Sequence, residues 1–263
     1  MLAKRLLLAV LGTAALALTA ACDRAPTASV TAAPAAPVAL LADVVSPTGG
    51  MCADKPVPAG YVVVDGFRTT SCSGYSATTF NAYHVRPAVS PMNVCAVSPL
   101  PPTFVVTAGG KSTLCPGFDA SKYAMNSYVI RKAGSPMSVC TASPVPTGYV
   151  VTPGTRSSSC PYFDQYGVNV VTIRLPFSGI QACSVSQVPS GWVVTPGARS
   201  VSCPVYQTTT INLYTLKVPT DHELVCSVSA IPSGWRITAW SKSTGCPDLN
   251  SNGTQNAFVI TRI

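Results

Sequence analysis

Ten cysteines on a fixed ruler constrain this chain more than any other feature. Cys52 and Cys72, Cys95 and Cys115, Cys140 and Cys160, Cys183 and Cys203, and Cys226 and Cys246 each stand 20 positions apart, and the pairs recur every 43, 45, 43 and 43 residues. Self-similarity at such a period means tandem units, and a unit this small buries too little apolar surface to hold without a staple. Two pairing schemes respect the period. Bonds within each repeat use all ten thiols; bonds from each second cysteine to the following repeat strand Cys52 and Cys246. The spacing within repeats is invariant, whereas the spacing between them runs from 23 to 25, which favours bonds within repeats. Each bond contributes roughly 3 kcal/mol on the chain-entropy model, and five of them require an oxidising compartment. Zinc, the competing use of paired cysteines, finds no Cys-x-x-Cys here, and His84 and His222 have no counterparts in other repeats. No metal and no cofactor is expected.

Between the cysteines the repeat reads column by column, counting each first cysteine as zero. Proline stands at plus six and an aromatic at plus nine: Tyr61, Phe104, Tyr149, Trp192 and Trp235. A mostly β-branched run follows, then a basic residue at plus sixteen: Arg68, Lys111, Arg156, Arg199 and Lys242. Each repeat closes on an asparagine-led run, at 81–86, 126–131, 169–174, 212–217 and 256–261, with alternating apolar positions such as Tyr83 and Val85. Period-two alternation, β-branching and flanking turn residues predict strands. No stretch after the leader keeps an apolar 3.6 period for three turns, and 24 prolines and 19 glycines interrupt the chain. The expected fold is all-β: five tandem disulfide-stapled β-modules forming an elongated array, at 51–93, 94–138, 139–181, 182–224 and 225–263.

The spacing also shows where length is free. Nine positions separate the closing basic residue (Arg86, Arg131, Arg174, Lys217) from the next cysteine at all four junctions. From second cysteine to asparagine the count varies: 9, 11, 9, 9 and 10. Constant junctions predict one repeated geometry between neighbours. The loops 73–80, 116–125, 161–168, 204–211 and 247–255 are the variable surface, where binding differences usually reside.

The amino-terminal segment has the three parts of an export signal: Lys4 and Arg5, an apolar run from Leu6 to Leu18, and the small residues Ala20-Ala21. That run is shorter than the ~20 residues a spanning helix needs. Leu18-Thr19-Ala20-Ala21-Cys22 resembles the signal of bacterial lipoproteins, although Thr19 stands where leucine is usual. The resemblance implies cleavage before Cys22, lipidation of that cysteine and a membrane anchor facing the periplasm or the surface. Asp23 beside it implies inner-membrane retention by the rule of enteric bacteria. Ordinary secretion, with Cys22 as a free or dimerising thiol, is the alternative. Residues 22–50 are rich in Ala and Pro and read as an extended tether.

Without Lys4 and Arg5, fifteen basic residues face nine acidic ones, and charged residues are only 10% of the chain. Sparse positive charge suits anionic envelope polymers, not nucleic acid. Catalytic signatures are lacking: there is no nucleophile elbow, Walker loop or dinucleotide fingerprint, and Asp221-His222-Glu223, the one dense polar cluster, reads first as a solvated turn. The chain is not expected to be an enzyme. Two columns remain as candidate surfaces. The plus-sixteen cations form a possible binding stripe, or lay their stems over aromatics. The plus-nine aromatics form a possible sugar-stacking ladder, although a core role weighs more in so small a unit. The reading is an envelope-anchored protein of binding or structural role, contacting an anionic glycan or another envelope protein. An inhibitor acting on a hydrolase through its disulfide-held loops is the alternative.

Overall fold

The computed structural model describes residues 49–120, 125–163, 167–248 and 255–263. The export signal, Cys22 and the tether lie outside these residues, as do parts of three of the variable loops. The described chain contains fifteen strands in five three-stranded antiparallel sheets, and no helix. The first sheet comprises β1 (Gly50–Cys52), β2 (Tyr61–Phe67) and β3 (Ala82–Pro87) in the order β1-β3-β2. The others repeat that order: β4 (Met92–Cys95), β5 (Phe104–Gly110) and β6 (Ser127–Lys132); β7 (Met137–Cys140), β8 (Val150–Thr155) and β9 (Val170–Arg174); β10 (Ile180–Cys183), β11 (Val193–Ala198) and β12 (Leu213–Lys217); β13 (Glu223–Cys226), β14 (Trp235–Ser241) and β15 (Ala257–Arg262). The asparagine-led run is thus the central strand of each sheet.

The first cysteine ends a strand instead of opening a module. Every sheet therefore begins one or two residues ahead of the boundaries expected at 51, 94, 139, 182 and 225. These three- and four-residue strands are too short to show a period of two, which is why the pattern missed them.

All five disulfides close within a module, from Cys52–Cys72 to Cys226–Cys246, with Cα–Cα distances of 5.3–5.5 Å. A turn follows each first cysteine, in which the plus-nine N–H donates to the plus-six carbonyl, as from Tyr61 to Pro58 at 3.0 Å. Gly60 takes φ 82° there, a conformation that costs a residue without Cβ nothing. The second strand then bulges against the central one, for instance between Val63 and Asp65 and between Val106 and Ala108. A bulge kinks the strand and re-aims its free groups; here it turns them toward the next module.

Two consecutive valines, at plus ten and plus eleven, are buried on β2, β5, β8 and β11. Successive strand residues point to opposite faces, so burial of both means cover on both sides. The neighbouring module supplies it. Val63, Met51 and Val85 of the first module pack with Cys95 and Cys115 of the second. Val94, Val106 and Ile130 of the second pack with Cys140 and Cys160 of the third and with Val62 of the first. The third and fourth cores receive Cys183–Cys203 and Cys226–Cys246 in the same manner. Each of the first four cores is closed by the disulfide of its successor.

Two hydrogen bonds lock every junction. The plus-eleven N–H donates to the serine at plus three of the next module: Val63 to Ser98 at 2.9 Å, Val106 to Ser143 at 3.0 Å, Val151 to Ser186 at 2.8 Å and Val194 to Ser229 at 3.1 Å. The plus-fourteen N–H donates to the plus-nineteen carbonyl beyond: Gly66 to Leu114, Gly109 to Ser159, Gly154 to Ser202 and Gly197 to Gly245, each at 2.7 Å. A Cβ on Gly154 or Gly197 would lie 1.9 Å from the carbonyl oxygen of Val170 or Leu213, so no side chain fits while that geometry holds. The two ends depart from this code. Lys55 takes the serine position of the first module, and in the fifth Arg236 and Trp240 replace the plus-ten valine and plus-fourteen glycine. Trp240 is 54% exposed and meets Phe258 edge-on at 5.5 Å.

Candidate functional site

The variable loops are held from below by the asparagine column. Asn81, Asn126, Asn169, Asn212 and Asn256 are all buried. Asn126 shows what the position does: its Oδ1 accepts from the N–H of Ser112 at 2.8 Å, and its Nδ2 donates to the carbonyls of Ser112 at 2.8 Å and Cys115 at 2.9 Å. Asn169 and Asn256 repeat the set. A buried amide that satisfies three main-chain groups fixes the loop as it leaves the disulfide.

The loop then turns sharply. The plus-twenty-two residue takes positive φ in every module: Gly74 at 69°, Gly117 at 70°, Tyr162 at 57°, Val205 at 58° and Asp248 at 63°. Glycine enters this region freely, but a β-branched valine does so only when its surroundings impose it. In the first, second and fourth modules the next side chain lies outward, whereas in the third it is half-buried and Tyr162 itself is 74% exposed. That plus-twenty-three position carries Tyr75, Phe118, Phe163 and Tyr206 in the first four modules. Tyr75, Phe118 and Tyr206 are 55%, 47% and 44% exposed.

Between neighbouring loops lies a groove that recurs with equivalent residues. At the first junction it measures about 500 Å³ and is lined by Arg68, Thr78, Thr79 and Phe80 on one side and Thr113, Pro116, Gly117 and Phe118 on the other. At the fourth it measures about 610 Å³, and Arg199, Thr209, Thr210 and Ile211 face Thr244, Pro247 and Asp248. Each column of the first groove that appears in the second stands at the same repeat position. Tyr214 lies against the fourth-junction loop; burial, and then the charge of Asp248, push its phenol above the usual value. Tyr128 is raised likewise by burial, then by Tyr162 of the next module.

The basic column lies at the edge of these grooves. All five cations are exposed. Arg68 donates to the carbonyl of Thr78 at 3.5 Å and lies over the ring of Phe80, 5.2 Å from its centroid. Lys111 donates to Ala120 at 3.2 Å, and Arg199 to Thr208. These cations brace the loop of their own module while their charge stays in solvent. In the modules of Arg156 and Lys242 the residues that correspond to Thr78 in sequence lie outside the described residues.

The plus-nine aromatics sit elsewhere. Phe104 is buried in the second core, and Tyr61, Tyr149, Trp192 and Trp235 pack half-buried against theirs. Their rings fill the modules. An exposed aromatic recurs at plus twenty-three, a column that sequence reasoning passed over because it lies inside the loop set aside as variable; Tyr162, Phe177 and Trp240 are exposed at single positions outside it.

The polar cluster at 221–223 is a turn that leads into β13 at Glu223. Asp221 accepts from the N–H of Arg262 at 3.0 Å, the position from which Ser90, Ser135 and Ser178 hold the closing strand in earlier modules. His222 adopts φ 60°, where Gly179 has 89°, and Glu223 pairs with Lys217 at 3.0 Å. One other acid–histidine pair exists among the described residues: His84 hydrogen-bonds Asp65 and stacks on Phe67 at 4.4 Å. It has no equivalent in other modules, and no described hydroxyl or thiol bonds its other nitrogen. No three His, Cys, Asp or Glu side chains gather as a metal site among the described residues, and no described helix is long and apolar enough to cross a membrane. Comparison with protein-family models, curated proteins and solved structures gives no match.

Proposed function

We propose that this chain is a non-enzymatic binding protein of a bacterial cell envelope, anchored through lipidated Cys22 and the tether 22–50, which grips an extended anionic polymer along its loop face. One observation carries the reading: the same groove, with a cation and paired threonines in equivalent columns, recurs at the first and fourth junctions. A site repeated at a module period suits a ligand that is itself a repeat, since each added contact becomes intramolecular. The thin net charge sets selectivity, because affinity must come from local pairing of each cation with an acidic group.

The test is co-sedimentation with purified peptidoglycan sacculi and with lipopolysaccharide, comparing the full chain with Arg68→Glu/Arg199→Glu. Binding that weakens at least tenfold, and that salt also weakens, is expected. Retention unchanged by the double reversal refutes the polyanion reading. The inhibitor alternative draws support from the asparagine-clamped loops, since a loop held in one shape loses little entropy on binding. Inhibition of lysozymes or proteases by the full chain would favour it.

A further inference from the structure

We infer that the plus-twenty-three aromatics are stacking platforms for sugar rings, so that the polymer is an acidic polysaccharide and not a bare polyanion; this rests on the proposal of an anionic polymer along the loop face. Four modules place a phenyl or phenol ring at this position; Tyr75, Phe118 and Tyr206 lie about half in solvent, and Phe163 is half-buried. An aromatic with that much exposed face, repeated in register, serves no core.

The backbone points the same way. The ring is presented by a left-handed residue immediately before it, and Tyr162 and Val205 adopt that conformation without being glycine. Backbone kept in an unfavourable region by surrounding constraints is found where geometry is used. The constraint is visible: in the third module Asn169 donates to the carbonyl of Pro161, immediately before Tyr162, at 3.3 Å. Gly117 is held from behind by the Asn126 bond to Pro116 at 3.4 Å. The platforms are therefore positioned before any ligand arrives.

What surrounds Phe118 matches one chemistry. At the first junction Phe118 shares its groove with Arg68, Thr78 and Thr79. A pyranose ring offers an apolar face for the aromatic and equatorial hydroxyls for threonine, and a uronate or acyl substituent offers a carboxylate for the guanidinium. Polyphosphate would use the cation and leave the rings idle. A lipid headgroup offers no succession of rings to match the module period.

The experiment titrates the full chain with polygalacturonate, which has rings and carboxylates, and with linear polyphosphate, which has charge alone. Tyr75→Ala/Phe118→Ala/Tyr206→Ala is expected to weaken polygalacturonate binding about tenfold or more and to leave polyphosphate binding within about twofold. Phe118→Tyr, alone, retains binding, whereas Phe118→Leu weakens it as far as Phe118→Ala does, since stacking needs a ring and not merely apolar bulk. Equal binding of polygalacturonate by the triple variant, with Arg68→Glu/Arg199→Glu still weakening it at least tenfold, overturns the stacking inference and leaves the polyanion reading standing. Absence of polygalacturonate binding by the unaltered chain overturns the inference outright, and indifference to charge reversal overturns the reading beneath it.

Discussion

Replacing Asn169 with alanine tests how far one buried amide holds the array together. Asn169 is 2% exposed, accepts from Ser157 N–H at 2.8 Å, and donates to the carbonyls of Ser157 at 2.9 Å, Cys160 at 3.1 Å and Pro161 at 3.3 Å. Alanine removes all four bonds. At about 1 kcal/mol per net hydrogen bond, less for the long one to Pro161, the loss is about 3–4 kcal/mol. That equals or exceeds the roughly 3 kcal/mol of a disulfide closing this loop. The assay exploits the distribution of tryptophan: Trp192, Trp235 and Trp240 all lie in the fourth and fifth modules. Their fluorescence reports nothing about the third module unless the modules unfold together. Since Cys183 and Cys203 are buried in the third core, disruption at residue 169 strips cover from the fourth module. With a slope on the order of 2 kcal/mol per molar urea, the tryptophan-detected midpoint drops by about 1.5–2 M. A midpoint unmoved while circular dichroism shows earlier loss of strand would mean that modules unfold independently. A total change below about 1 kcal/mol would refute the asparagine as a clamp.

Two further outcomes follow from burial. Cys52 and Cys72 are only half-buried, whereas the other eight cysteines are 0–2% exposed; graded reductant followed by alkylation and peptide mass mapping should label the first pair before any other, and simultaneous labelling of all five pairs would contradict the capping of disulfides by preceding cores. The raised pKa of Tyr214 sets an alkaline limit. Its folded pKa exceeds the unfolded value, so stability is intact below pH about 10 and declines as pH rises from there through the folded value. Tyr214→Phe should flatten part of that decline in pH-dependent thermal melts, and an identical alkaline slope in both proteins would remove Tyr214 as its source.

The fold was legible because its rules are written as columns. Spacing alone gives the disulfide pairing, β-branching gives the second strand of each sheet, and alternation gives the central one. The plus-three serine and plus-fourteen glycine also stand out as columns, but their meaning does not: a serine hydroxyl that accepts from another module looks, in sequence, like any turn serine. Only the exceptions hint at it, since Lys55 and Trp240 break their columns at opposite ends of the array. The aromatics show the opposite limit. Both plus nine and plus twenty-three carry rings, and sequence offers no direct measure of which faces solvent. Val62 and Val63, buried together, show that plus nine adjoins a strand covered on both sides, whereas the left-handed turn at Gly117 ejects Phe118. At 221–223 the turn itself is legible, but not that Asp221 stands in for the serine that holds the closing strand in earlier modules.

The burial of each disulfide in the preceding core has a consequence for dissection. Covalently, Cys140–Cys160 belongs to the third module; in terms of what it shields from water, it belongs to the second. The repeat of the sequence and the repeat of folding are therefore out of phase, like a brick wall whose mortar joints do not fall at the brick ends. A fragment cut at the sequence boundaries keeps its staple but loses the lid of its own core and bares a disulfide made to be hidden. The shortest faithful excerpt of this protein is one module together with the cysteine loop of the next.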